Sequence, residues 1–308
     1  MSPTFSRRDF FAAGAALAGL TAAPRPRAIQ PRMLTRTIPS SGEAVPAVGM
    51  GTWQTFDPPS LSAESLAPLE EVLRIFRDAG GRLVDSSPMY GKSEEVTGLL
   101  AERIGAGGEL WMATKVWTSG ERAGVQQMEQ SIRLLLRGQT RPLDLMQVHN
   151  LVDWRTHLPT LQEWKQAGRV RYLGITHYTN TAYAELEAVL RSAPWDFLQV
   201  NYSFDEPAAA HRLLPLAQER GVAVLVNLPF GGGRMLRSLR ARALPAWAAD
   251  IGCTTWPQVL LKFVLAHPAV TCVIPATGKI RNLVDNLGAG MGALPDSKQR
   301  AQIVAAIG

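Results

Sequence analysis

From residue 37 onward, short apolar runs alternate with longer stretches in which apolar residues recur every three or four positions. The runs begin near Val48, Leu83, Leu110, Leu143, Val170, Phe197, Val222 and Val270. Short, nearly continuous apolar runs bounded by turn residues fit strands covered on both faces. The longer stretches fall at about residues 64–79, 92–104, 121–138, 156–168, 180–191, 207–220 and 255–267, with a last one near 295–307. Their spacing predicts helices with one apolar face. Ala79-Gly80-Gly81 stops one of them, and Gly168 and Gly221 stop others. Strand–helix alternation predicts a parallel sheet with right-handed crossovers. Eight evenly spaced units predict closure as a single (β/α)8 TIM barrel, and 308 residues suit one such domain. A doubly wound open sheet is the alternative, but the even spacing and the lack of a long internal linker favour the barrel.

Polar residues close several of the runs. Residues 83–90 place Asp85 and Tyr90 at and just after one end, residues 110–115 end in Lys115, and residues 143–149 end in His149. Strand ends of such a barrel open on one face, where the fold keeps its chemistry. An acid, a phenol, an amine and an imidazole brought together there form a proton-donating set.

Composition narrows the classes. An apolar fraction of 46% builds a sizeable core, and a charged fraction of 19% argues against disorder. Of the net charge of +6, residues 1–23 carry +1 and residues 24–36 carry +4, which leaves +1 on the body. The basic character therefore belongs to the N-terminal tail, and no nucleic-acid partner is expected. Cys253 and Cys272 lack CxxC spacing and a histidine cluster, so no metal site is expected. They read as buried apolar thiols, with a disulfide left open if the chain is exported.

Residues 6–11 read Ser-Arg-Arg-Asp-Phe-Phe, the opening of a twin-arginine export signal. The apolar segment from Phe10 to Leu20 is too short to span a bilayer, and Thr21-Ala22-Ala23 offers a cleavage site. Residues 1–23 are read as a signal peptide, 24–36 as a Pro/Arg-rich linker and 37–308 as the domain. The expected location is periplasmic or otherwise exported, with the twin-arginine machinery as a partner and no stable membrane insertion.

Several segments together resemble the aldo/keto reductase family. They are Ile38-Pro39-Ser40-Ser41-Gly42-Glu43 with Val48-Gly49-Met50-Gly51-Thr52-Trp53, Asp85-Ser86-Ser87-Pro88-Met89-Tyr90-Gly91, Thr114-Lys115-Val116-Trp117 and Gln147-Val148-His149. The series continues through Gly174-Ile175-Thr176-His177-Tyr178, Gln199-Val200-Asn201-Tyr202 and Val273-Ile274-Pro275-Ala276-Thr277. The resemblance implies an N-terminal β-hairpin closing the barrel bottom, and reduction of an aldehyde or ketone by hydride from a nicotinamide. It implies Tyr90 as proton donor, Lys115 as an ammonium that lowers the phenol's pKa, Asp85 as its ion-pair partner and His149 as a donor to the carbonyl oxygen. Trp53 and Trp117 resemble aromatic walls for a small carbonyl substrate with apolar substituents. The chain ends soon after its last helix, and an open mouth is expected. The family is often monomeric, and a monomer is expected here.

For the cofactor, the resemblance points to Thr52, Thr176, His177, Gln199, Asn227, Gly231, Thr277, Gly278, Lys279, Asn282 and Asn286. Thr176 and His177 occupy the place of a Ser-Asn pair that grips the carboxamide, with Gln199 as a further contact. Phe230-Gly231-Gly232-Gly233-Arg234 offers bare backbone to the pyrophosphate. Asn227 stands where relatives often carry a stacking Tyr, and Ala276 where they often carry a Lys. Lys279 and Arg281 are the replacement partners for a 2′-phosphate, so NADP(H) is preferred and NAD(H) is admitted. Gly288, Gly290 and Gly292 follow a helix rather than a strand and make no dinucleotide fingerprint. Two other readings are carried: a nucleotide-binding sensor on the same barrel with little turnover, and a barrel enzyme without nicotinamide.

Overall fold

The computed structural model describes residues 33–308. The twin-arginine segment and most of the expected linker lie outside the described residues. The linker ends earlier than expected: Leu34 already donates its N–H to Gly290 O at 2.7 Å, and strand β1 spans Thr35–Thr37. It pairs antiparallel with β2 (Ala44–Pro46).

Eight further strands run parallel. They are β3 (Met50–Gly51), β4 (Leu83–Asp85), β5 (Trp111–Val116), β6 (Leu143–His149), β7 (Val170–Thr176), β8 (Phe197–Asn201), β9 (Ala223–Asn227) and β10 (Val270–Val273). Each pairs with the next in chain order from β3 to β10. The ring closes where Gly49 N donates to Val273 O at 2.8 Å and Val273 N to Ala47 O at 2.9 Å. The expected barrel is therefore the observed one.

Helices α1 (Ala63–Asp78), α2 (Ser93–Arg103), α3 (Glu121–Leu136), α4 (Trp154–Gln166), α5 (Tyr183–Ser192), α6 (Leu213–Glu219), α7 (Arg234–Leu239), α8 (Trp256–Leu265), α9 (Ile280–Ala289) and α10 (Ser297–Ile307) fill the connections and the C-terminus. Two were not in the amphipathic pattern: α7, only six residues long after three glycines, and α9, which precedes Gly290 and Gly292.

Two apolar layers separate cleanly. The strands' outward residues pack under the helices, in a cluster that includes Val84, Met112, Met146, Leu173, Leu198 and Val226. The inward residues form a smaller cluster of Leu83, Trp111, Ala113, Leu145, Tyr172, Phe197, Ala223, Leu225, Cys272 and Ile274. Ile38 and Val45 of the hairpin join that inner cluster, so the hairpin plugs the barrel bottom. Cys253 and Cys272 are both buried and free, one in each layer.

Candidate active site

Side chains alternate across a strand with period two. Following each inward row upward shows why the site forms. On β4 the row is Leu83 then Asp85, and on β5 it is Trp111, Ala113 then Lys115. On β6 it is Leu145, Gln147 then His149, on β8 Phe197 then Gln199, and on β9 Ala223, Leu225 then Asn227. Each row is apolar below and polar at its C-terminal end. The parallel arrangement therefore collects these groups at one mouth, and a slip of one residue in any strand would turn its polar group outward.

At the floor of the mouth lies a buried ion pair. Lys115 Nζ sits 2.6 Å from Asp85 Oδ2 and donates to Ser86 O, also at 2.6 Å. Asp85 Oδ1 accepts from Gln147 Nε2 at 3.0 Å and Gln199 Nε2 at 2.9 Å. Both carboxylate oxygens are thus satisfied, as burial of an ion pair demands. Gly174 makes room for this network: a Cβ there would come within 2.9 Å of the Gln147 side chain and 3.2 Å of Phe197. Burial pulls the Lys115 ammonium down, but Asp85 and Tyr90 together outweigh it and hold the group above its ordinary range.

Tyr90 leans over this pair, with Lys115 Nζ 5.0 Å from its ring centroid. Burial raises the phenol's pKa above 10, and the opposing pull of Lys115 is smaller. The sequence-based expectation of a lowered pKa is corrected in direction. The ammonium is where the expectation put it, but desolvation of the phenolate wins.

The edge of the Tyr90 ring meets His149, with centroids 5.9 Å apart at 84°. Nδ1 of His149 lies 3.0 Å from Ser87 Oγ. Burial, reinforced by the positive charge of Lys115 and by His177, lowers the imidazole's pKa to about 2. The ring is therefore uncharged at neutral pH.

A cavity of about 820 Å³ opens above these groups. Asp85, Tyr90, His149, Thr52, Thr176, Gln199 and Asn227 line it, with Trp53 and Trp117 at its rim. Trp53 is 47% exposed and Trp117 42%, so the mouth is open, as expected. Tyr178 and Phe230, from segments the resemblance singled out, also line it, and so do Asn150 and Leu236, of which the chain pattern gave no sign. Asn150 lies in the turn after β6 and Leu236 on α7, and tertiary packing sets where both point.

The cofactor candidates divide. Thr176 faces the cavity, with its hydroxyl 3.4 Å from Gln199 Oε1. Thr52 also lines it, but its hydroxyl donates to Asp85 O and Ser86 Oγ. Gln199 spends its amide N–H groups on Asp85 and on Gln147 Oε1, which leaves Oε1 as its acceptor toward the cavity. His177 is absent from the cavity wall. Its Nδ1 accepts from Tyr178 N and Thr179 N, and its ring stacks on Tyr178, so that edge of the ring braces the following loop. Asn227 donates Nδ2 to His177 O at 3.1 Å and leaves Oδ1 buried without a partner. Gly232 and Gly233, both with positive φ, line the cavity, whereas Gly231 sits against Asp205. Thr277, Gly278, Lys279, Asn282 and Asn286 lie outside the cavity wall, along the approach to and first turns of α9. Lys279 and Asn282 are exposed and Asn286 is buried.

An eight-stranded parallel barrel with a buried acid–amine pair, a phenol and a neutral imidazole at its C-terminal mouth defines a barrel oxidoreductase that handles carbonyls. The sequence profile of the aldo/keto reductase family matches residues 47–307, and the chain belongs to that family of NAD(P)H-dependent oxidoreductases. It is 29% identical over 270 residues to an aldo-keto reductase of Strobilurus tenacellus, covering 75% of this chain and 79% of that protein. An aldo/keto reductase from Klebsiella pneumoniae in complex with NADP and acetate superposes with a TM-score of 0.72 at 26% identity, covering 86% of this chain and 93% of that one. An aldo-keto reductase from the same organism in complex with NADPH gives 0.73 at 25% identity, over 89% and 96%.

Proposed function

We propose that this protein reduces an aldehyde or ketone to the alcohol, with NADPH as reductant and Tyr90 as the proton donor. The observation that supports this best is the convergence of Tyr90 and His149 on one open cavity, with the buried Lys115 ammonium 5.0 Å from the Tyr90 ring centroid. The nicotinamide, when bound, supplies the hydride. As the carbonyl oxygen gains charge, Tyr90 gives it the phenol proton and His149 holds it by a hydrogen bond. Lys115 favours the phenolate left behind, and the Asp85–Gln147–Gln199 network keeps Lys115 in place. A phenol raised by burial starts fully protonated at neutral pH and is poised to give its proton only when negative charge appears beside it.

The wall also fits the cofactor. The orphaned Asn227 Oδ1 is an acceptor for a carboxamide N–H, with Thr176 beside it, and the bare Gly232 and Gly233 backbone suits a pyrophosphate. Lys279 and Arg281, exposed at the start of α9, are the partners for a 2′-phosphate. Trp53, Trp117, Phe230 and Leu236 face the substrate space, and no Lys or Arg lines it, which suits an uncharged carbonyl compound with apolar substituents. We infer from the Ser-Arg-Arg-Asp-Phe-Phe start that the folded protein is exported.

Fluorescence titration of the protein with NADPH and NADH tests this. The expected result is saturable binding with preference for NADPH, and a loss of roughly tenfold in NADPH affinity for Lys279→Ala with NADH little changed. No binding of either nucleotide would end the reading. Equal losses for both would place the 2′-phosphate elsewhere.

A further inference from the structure

We propose that Ser87 is a positioning residue that fixes the tautomer of His149, so that the imidazole presents Nε2–H, and not a bare nitrogen, to the substrate carbonyl. This rests on the reductase reading of the same cavity.

The argument is one of hydrogen-bond satisfaction. Ser87 is fully buried, and its Oγ has two neighbours: His149 Nδ1 at 3.0 Å and the backbone N–H of Met89 at 3.4 Å. The Met89 N–H can only donate, so it occupies an acceptor site on the hydroxyl. The hydroxyl proton is left with one acceptor among the described residues, the Nδ1 lone pair. Were Nδ1 protonated instead, two N–H groups would point at Ser87 Oγ and its own proton would be buried without a partner. That arrangement carries the full penalty of an unsatisfied buried donor.

A neutral imidazole carries one proton, so an unprotonated Nδ1 places it on Nε2. His149 stays neutral because burial and Lys115 oppose its charging. It therefore cannot become a donor by picking up a second proton, and the tautomer alone decides whether it donates. No protein group bonds Nε2 among the described residues, while His149 lines the cavity. Tyr90 and Trp117 pack against the ring, with centroids at 5.9 Å and 6.4 Å. Ser87 thus supplies what these apolar contacts cannot, a preference for one of the two protonation patterns.

The direct test is the ¹⁵N spectrum of His149 in the full-length protein, assigned by loss of its signals in His149→Gln. The expected pattern is a protonated Nε2 and a bare Nδ1, unchanged from pH 6 to 9. A protonated Nδ1 in the wild type would overturn the proposal outright, whatever the enzyme turns over. Ser87→Ala should leave NADPH affinity unchanged and lower kcat for an aromatic aldehyde by about tenfold. Its His149 signals should become those of mixed tautomers. Ser87→Cys, a weaker donor of similar shape, should recover part of kcat and most of the Nε2–H pattern. A Ser87→Ala enzyme with an unmixed Nε2–H tautomer and kcat within twofold of wild type would also overturn the assignment. Absence of any carbonyl reduction by the wild type would instead strike the reductase reading, and the ¹⁵N result would still stand or fall by itself.

Discussion

The barrel has charged clusters at both ends, and they are built to different rules. At the bottom, Arg171 bonds Glu43 of the hairpin turn and, at 2.7 Å, Asp144, while Arg141 reaches Asp144 at 2.9 Å. Asp144 also accepts Met112 N at 2.8 Å, and Tyr172 donates its hydroxyl to Glu43 at 2.6 Å. The charges of this cluster are partnered, and several are open to solvent. At the top, Lys115 is fully buried, and Asn150 Oδ1 and Asn227 Oδ1 are buried without partners in the cavity wall. Gln54, Asn150 and Leu228 line that wall with φ of 58°, 53° and 45°, a conformation that costs a side chain about 1–2 kcal/mol. The bottom pairs its charged groups with one another, although the buried Trp111 indole N–H beside Tyr172 has no acceptor. The top leaves some open and tolerates strain, which is what binding a ligand requires.

The comparison breaks most sharply at Tyr90. Tyr90→Phe removes one hydroxyl from the top and nothing from the bottom. Carbonyl reduction should fall by roughly 10²–10⁴-fold, the usual worth of a positioned acid, with NADPH affinity and thermal midpoint nearly unchanged. Steady-state kinetics beside a nucleotide titration checks this, and unchanged turnover would remove Tyr90 from its role.

A second break comes from pH. His149 binds its proton at about 2 in the folded chain and near 6.5 when unfolded. Below pH 6.5 the unfolded state therefore takes up a proton that the native state refuses. Its contribution to stability is complete above pH 6.5 and is lost as pH falls, by at most about 1.4 kcal/mol per pH unit. Urea unfolding from pH 7 to 4.5 should show this decline, and His149→Gln should flatten it. Reduction by the wild type should show no ionisation of His149 between pH 5 and 9; a limb near 6.5 that disappears in His149→Gln would contradict its neutral role.

How much of each end could be read from the chain follows from this contrast. The floor of the site was legible, because strand period and position fix it: Asp85, Lys115 and His149 lie where an inward apolar row runs out. Tyr90, five residues past Asp85, needed the family motif as well. The second rank was harder. Gln147 and Gln199 lie on the same inward rows, but whether an amide meets ligand or carboxylate depends on cross-barrel distances, and Gly174 is what lets Gln147 reach Asp85. For His177 the motif fixes the position but not the ring, whose Nδ1 turns back to cap its own loop. The direction of the Tyr90 shift was hidden for a related reason. The ammonium can be placed from sequence, whereas the degree of burial that outweighs it emerges only from the packed barrel.

The smallest effect should come from the bottom, and it sharpens the comparison. Glu43→Ala removes the acceptor shared by Arg171 and Tyr172, at a site where the two charged side chains are 36% and 29% exposed. Water screens the ion pair there, so the loss should be about 1–2 kcal/mol, most of it from the Tyr172 hydroxyl left without that acceptor. Ser41 Oγ, at 2.7 Å from the same hydroxyl, limits the damage further. Urea unfolding should register that loss while kcat/KM stays within twofold of wild type. The inner apolar cluster, from Ile38 and Val45 up through Trp111 and Phe197, lies between the two ends. A fall in kcat/KM as large as the change in stability would mean that the hairpin plug is mechanically coupled to the mouth, and that the division of labour between the two ends does not hold.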